Sequence, residues 1–225
     1  MDYKEKLKQI VEYFGLEYKG RFIYMECTHR EVTLHNFLSG CPVPQYANHG
    51  SMKDDREKYL QDFMNSEDSK YDHRGTTGTV ISRKGLNQAI IRVKNLDSSE
   101  LREELLDIYR RIAEKMGEGV NLVLVATDKK TVPEDLLLHE FVHELNNENN
   151  LRINEWKWNE GLVTYMAHYG LGDYHLFATD TSGFLDSREY IEYGKKWHEL
   201  FSKTNSPLER RQLIQSIIDS KNFSS

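Results

Sequence analysis

The sequence predicts an α+β fold: a small mixed sheet, a helix backing it, and two consecutive helices carrying the polar residues of greatest chemical interest. Three observations carry that prediction. Val120 to Ala126 is a nearly continuous apolar run, the pattern of a strand buried on both faces. Asp97 and Glu100 have acidic capping spacing ahead of a long amphipathic stretch through Met116, with Leu101, Leu105, Ile108 and Ile112 on one stripe. Thr131 and Glu134 have the S/T-x-x-E spacing of a capping box, with Pro133 in the first turn. Leu137, Leu138, Phe141, Val142 and Leu145 then supply a broad apolar surface, so a buried helix is expected from about Thr131 to Asn147.

The remaining elements follow along the chain. Tyr3 to Phe14 reads as an amphipathic helix, with Leu7, Ile10, Val11 and Phe14 on one stripe. Phe22 to Cys27 and Val32 to Phe37 are expected as short strands, and Gly40 to Pro44 as a turn holding two prolines. Asp54 to Met64 is a charged helical stretch, and the polar segment Asn65 to Gly78 is the expected junction. Residues 1–75 are thus expected as an N-terminal lobe or a pro-segment, and 76–225 as the main domain, unless the two form one unit. Thr79 to Ser82 and Gln88 to Val93 read as two strands of a hairpin around Lys84-Gly85. Polar Asn146 to Asn150 ends the buried helix, and a second helix is expected from Trp156 to Tyr169, with Trp156, Leu162, Val163 and Met166 packing. The connecting loop is short, so these two helices should pack together. Gly170 to Asp186 is irregular, and helices are expected at about Ser187 to Ser202 and Pro207 to Lys221.

Composition bounds the function classes. At 225 residues the chain can bury a sizeable core. A net charge of −6 and a pI near 5.9 argue against nucleic acid or an anionic membrane as the main partner, since both attract basic faces. No run approaches the roughly 18 to 20 apolar residues that span a bilayer. Met1 to Leu16 alternates charged and apolar residues and lacks a signal-peptide core, so a cytoplasmic location is expected. Two cysteines, Cys27 and Cys41, do not make a disulfide framework.

The chemistry concentrates in His139-Glu140-Phe141-Val142-His143, followed by Asn159-Glu160-Gly161. Histidines at i and i+4 share one helical face, so their imidazoles can converge on one metal ion, expected to be zinc. Glu140 is rotated by about 100° from His139. That places its carboxylate beside the metal, where it can take a proton from bound water as a general base. Catalytic zinc uses three protein ligands and an open position, and in the His, His, Glu version the third ligand is a carboxylate from elsewhere in the fold. Glu160 is the candidate. Glu144 is the rival, but it follows His143 directly and points to a different face. The five-residue motif alone is short enough to arise by chance; its capped helix and the following N-E-G argue against coincidence.

His139 to Leu145, read as HEFVHEL, together with Trp158-Asn159-Glu160-Gly161-Leu162, resembles the gluzincin group of zinc metallopeptidases. The similarity covers roughly Thr131 to Tyr169. It implies a zincin-like fold, with His139, His143 and Glu160 holding one zinc ion per chain and Glu140 as the base. The activity it implies is hydrolysis of peptide bonds, in a peptide or an unfolded protein segment, without a covalent intermediate. In such folds an edge strand beside the cleft holds an extended substrate; Thr79 to Arg83, Gln88 to Lys94 and Val120 to Thr127 are the candidates. Thr164 stands where thermolysin-like members carry an acidic partner for the site, so a hydroxyl replaces a carboxylate here.

A hydrogen-bond donor should face the developing oxyanion. Tyr165, His168, Tyr169, Tyr174, His175, Tyr190 and Tyr193 lie near or after the second helix, and Tyr174 or His175 is favoured because the Gly170 to Asp173 turn can double the chain back. His29, His35, His49, His73 and His198 have no metal-binding spacing. Cys41 could ligate zinc from an N-terminal segment and hold the site latent. Two other readings remain at this stage: a latent or non-proteolytic zincin-like protein that binds a partner peptide, and a metal-free helical interaction domain.

Overall fold

The computed structural model describes residues 3–28, 31–32, 35, 38, 78–117, 120–126, 134–178 and 188–220. They form an α+β protein, mostly helical, with one three-stranded mixed sheet. The chain divides into two compact units: Arg21–Val132, and Met1–Gly20 together with Pro133–Ser225. The boundary expected near residue 75 falls outside the described residues, as do Cys41, His29, His49, His73, the 40–44 turn and the 54–64 helix. No helix among the described residues is long and apolar enough to cross a membrane.

The unit 21–132 holds the sheet. Strands β1 (Phe22–Cys27), β2 (Gly78–Ile81) and β3 (Asn121–Ala126) lie in the order β1-β3-β2. β3 is parallel to β1, with Phe22 opposite Asn121, and antiparallel to β2, with Val80 opposite Val123. Being central, β3 buries Leu122, Val123, Leu124 and Val125 completely, as its apolar run predicts. Leu122 and Leu124 join a core with Ile81 and two helices, α2 (Arg83–Lys94) and α3 (Ser99–Lys115), through Leu86, Val93, Leu105 and Ile112.

Two strand expectations are overturned here, both by local capping. Ser82 caps α2, its hydroxyl accepting the Gly85 N–H at 3.1 Å, so Lys84-Gly85 is a first helical turn and no hairpin. Gln88 to Val93 is accordingly helical, and its buried positions, Leu86, Ala89 and Val93, follow a helical period. In the same way Glu31, Val32, His35 and Leu38 are helical. Thr28 and Glu31 form a reciprocal capping box: Thr28 Oγ1 accepts the Glu31 N–H at 3.1 Å, and the Glu31 carboxylate accepts the Thr28 N–H at 2.9 Å. Of the three segments expected as substrate-binding edges, Val120 to Thr127 contains the central strand and Gln88 to Lys94 is helix; Thr79 to Arg83 alone contains part of an edge strand, β2.

The other unit is helical. It contains α1 (Tyr3–Phe14), α4 (Glu134–Glu148), α5 (Trp156–Leu171), a 3-10 turn (Tyr174–Ala178), α6 (Arg188–Phe201) and α7 (Pro207–Ser220). α4 ends at Asn150, whose φ of 57° lets the Leu151 N–H reach Asn146 O at 2.8 Å. Asn149 then ties the end of α4 to the chain after α1. Its Oδ1 accepts the Glu17 N–H and its Nδ2 donates to Glu17 O, both at 2.8 Å. α5 ends similarly, with Gly172 at φ 85° and the Asp173 N–H donated to His168 O.

Candidate metal centre

α4 and α5 bring His139, His143 and Glu160 together, with one ligand atom from each lying within 4.8 Å of the others. Glu160 Oε2 stands 3.2 Å from His139 Nε2 and 3.3 Å from His143 Nε2. The i, i+4 spacing does part of this, setting the two imidazole centroids 5.0 Å apart on one face of α4. The α4–α5 pairing does the rest.

Three features of the N-E-G segment place the carboxylate. Glu155 caps α5, its side chain accepting the Trp158 N–H at 2.8 Å. Asn159 Oδ1 accepts the Ile153 N–H at 3.2 Å, tying the incoming loop to the first turn. Gly161 admits α6. A Cβ at Gly161 would lie 2.7 Å from the Tyr193 carbonyl carbon, 3.0 Å from Gly194 N and well inside contact distance of Tyr193 Cβ. Gly194 repeats the device on the other side, where a Cβ would meet the Phe177 ring at 3.0 Å or less. Because α6 can approach this closely, Tyr190, one turn before Gly194, lays its ring nearly parallel to His139, with centroids 5.9 Å apart and an interplanar angle of 14°.

Electrostatics agree with a site for a cation. Burial alone would push the Glu160 carboxyl up, but the neighbouring His143 charge and the hydrogen bonds from both imidazoles outweigh it and hold the group well below the usual carboxylate range. The donor set of two imidazole nitrogens and one carboxylate oxygen suits zinc, for which bonds of roughly 2.0–2.1 Å in tetrahedral geometry separate neighbouring ligand atoms by about 3.3 Å. The Glu160 to histidine separations match that value. His143, at 22% exposure, is the most open of the three side chains, against 7% for His139 and 12% for Glu160, so the cluster faces solvent on its His143 side.

The other expected site residues fall in different places. Glu140 is buried on α4 next to His139. Glu144 is buried away from the cluster and accepts a hydrogen bond from Asn147 Nδ2 at 2.7 Å. Thr164 is buried on α5, and its hydroxyl makes no hydrogen bond among the described residues.

Tyr174 and His175 lie at the opposite end of α5 from Glu160. Tyr174 packs against Tyr169 at 4.6 Å between centroids, and Tyr169 stacks on Tyr13 at 3.8 Å. Tyr169 is nine residues beyond Glu160, about 13 Å along the helix axis. The turn at Gly172 does double the chain back, but onto the far end of α5 and onto α6, where Tyr174 meets Tyr165 and Tyr169 and Phe177 lies against Gly194. Among the described residues, Tyr190 is the tyrosine whose ring lies against His139 of the candidate cluster. It is one of the seven donors near or after the second helix, and nothing local in the sequence distinguishes it, because α6 is distant in sequence from α4.

Compared with protein-family models, with curated proteins and with solved structures, the chain matches none.

Proposed function

We propose that the chain is a zinc metallopeptidase of the gluzincin type, with a zincin-like fold, hydrolysing peptide bonds in a peptide or an unfolded protein segment. The observation that carries this is the position of Glu160 Oε2, 3.2 Å from His139 Nε2 and 3.3 Å from His143 Nε2, with the three ligand atoms all within 4.8 Å of one another. A buried carboxylate, Glu140, follows His139 directly on α4 and supplies the general base that this reading needs.

Zinc held there would supply Lewis acidity to the attacking water and the scissile carbonyl. The chain's own residues do the rest. Glu140 accepts the proton of the attacking water, holds it on a carboxylate sheltered from solvent, and delivers it to the amine leaving group as the C–N bond breaks. Glu160 keeps its carboxylate between the two imidazoles, so the proton that leaves the water is carried by Glu140, whose own charge is neutralised while it holds that proton. The thermolysin-like pattern of an acidic residue four positions after the ligand glutamate is replaced here by Thr164, which cannot take up a proton. This leaves Glu140 as the proton carrier of the site.

Elemental analysis of the purified protein tests the reading. Close to one zinc per chain is expected, falling severalfold in Glu160→Ala. Glu140→Gln should keep the zinc and lose at least about a hundredfold in chelator-sensitive peptide cleavage. Zinc without turnover on a broad peptide library would point to a zincin-like binding protein; no zinc after reconstitution would refute both.

A further inference from the structure

The side chains next to the metal cluster are aromatic on one flank. Trp156 lies four residues before Glu160, one turn earlier on the same face of α5. Among the described residues it is a large apolar side chain left 45% exposed, where a packing role was expected. Its ring meets Tyr190 edge to face, with centroids 5.5 Å apart, and Tyr190 lies over His139. The three rings make a continuous wall from solvent to a metal-ligating imidazole.

One ion pair lies beside this wall. Lys157 pairs with Glu189 at 3.2 Å, joining the first turns of α5 and α6 beside Trp156 and Tyr190. Glu155 points its carboxylate at the Trp158 N–H. An exposed indole next to a reaction centre gains by covering apolar area, which favours an apolar side chain over a charged one on these rings.

Resting on the peptidase reading, we infer that Trp156 and Tyr190 determine the specificity of the site, taking an aromatic or large aliphatic side chain adjacent to the scissile bond. Tyr190 is held in place by the glycine-mediated α5–α6 crossing, and Trp156 supplies the open surface. Substrates are then extended segments presenting phenylalanine, tyrosine, leucine or methionine, residues accessible only in short peptides or unfolded chains.

The test uses capped alanine hexapeptides differing at one central position, Phe, Leu, Gly, Lys or Asp. Binding to zinc-loaded Glu140→Gln protein is followed by calorimetry, and cleavage by the unsubstituted zinc protein by mass spectrometry. The Phe and Leu peptides should bind at least about tenfold more tightly than the Gly peptide, a difference equivalent to covering roughly half a large side chain. In a Trp156→Ala background the preference should fall to within about twofold at unchanged zinc content, and Trp156→Phe should restore most of it. A preference for Lys or Asp, equal binding of all peptides, or a Phe preference that survives Trp156→Ala would overturn the inference. The two readings fail separately: cleavage without side-chain preference removes the specificity assignment and leaves the peptidase. Preferential binding without cleavage does the reverse, and neither binding nor cleavage removes both.

Discussion

Replacing Gly161 by alanine would separate two effects that usually travel together. On an isolated helix the change stabilises by about 1 kcal/mol, because alanine loses less backbone entropy. In this fold the new methyl group would stand 2.7 Å from the Tyr193 carbonyl carbon and 3.0 Å from Gly194 N, both backbone atoms that no rotamer change can remove. Relief requires α6 to retreat by about 1 Å, to the 3.5 Å or more at which carbon contacts become attractive. Overpacking of this kind costs about 2–3 kcal/mol, so a net loss of about 1–2 kcal/mol is expected after the helix-propensity gain. Gly85→Ala is the control, since its Cβ would meet only Ser82 Oγ, at 3.4 Å, and the propensity gain should dominate. Urea unfolding of the three proteins checks the pair of signs: Gly161→Ala down, Gly85→Ala level or up. A Gly161→Ala protein as stable as its parent would refute the close crossing, and with it the account of how Tyr190 reaches His139.

Two further outcomes follow from the same structure. Zinc at a hundredfold excess over its dissociation constant should stabilise the protein by about 2.7 kcal/mol; the rise in melting temperature should vanish in Glu160→Ala, and a zinc response that persists there would place the metal elsewhere. His35 is buried against Tyr109, its Nδ1 3.2 Å from the Tyr109 hydroxyl, and burial lowers its pKa to about 4. The unfolded chain protonates near pH 6.5 while the folded one resists, so stability from this group is complete above pH 6.5 and declines as pH falls towards 4. Between pH 7.5 and 4.5 the loss should be about 2–3 kcal/mol. The unfolding free energy of His35→Asn, measured over the same range, should show a correspondingly shallower slope; identical slopes would sink the assignment.

The residues that can hold a metal were legible because the information is local. An i, i+4 pair on one helix is a property of helix geometry, and Glu160 follows it across a short loop, so His139, His143 and Glu160 converge as spacing predicts. The buried strand Asn121–Ala126 and the amphipathic α1 and α3 were equally readable, each from the periodicity of its own apolar residues. Gln88 to Val93 is helix rather than strand because its four apolar residues, Ala89, Ile90, Ile91 and Val93, satisfy either period over so short a stretch. The deciding bond, from Gly85 N–H to Ser82 Oγ, is a capping interaction that the hairpin signal at Lys84-Gly85 masked.

What the sequence alone determined is therefore the donor set and the helices that present it. Tertiary structure decided which aromatic groups surround that set. Tyr174 is brought round by its own turn, yet it settles on Tyr169 and Tyr165 because that surface is the nearest aromatic one at its end of α5. Tyr190, thirty residues beyond Glu160, arrives beside His139 because two glycines let α5 and α6 cross at backbone contact. A close approach of that kind depends on what both helices lack, and the absence of a side chain acquires meaning only when its partner surface is in place.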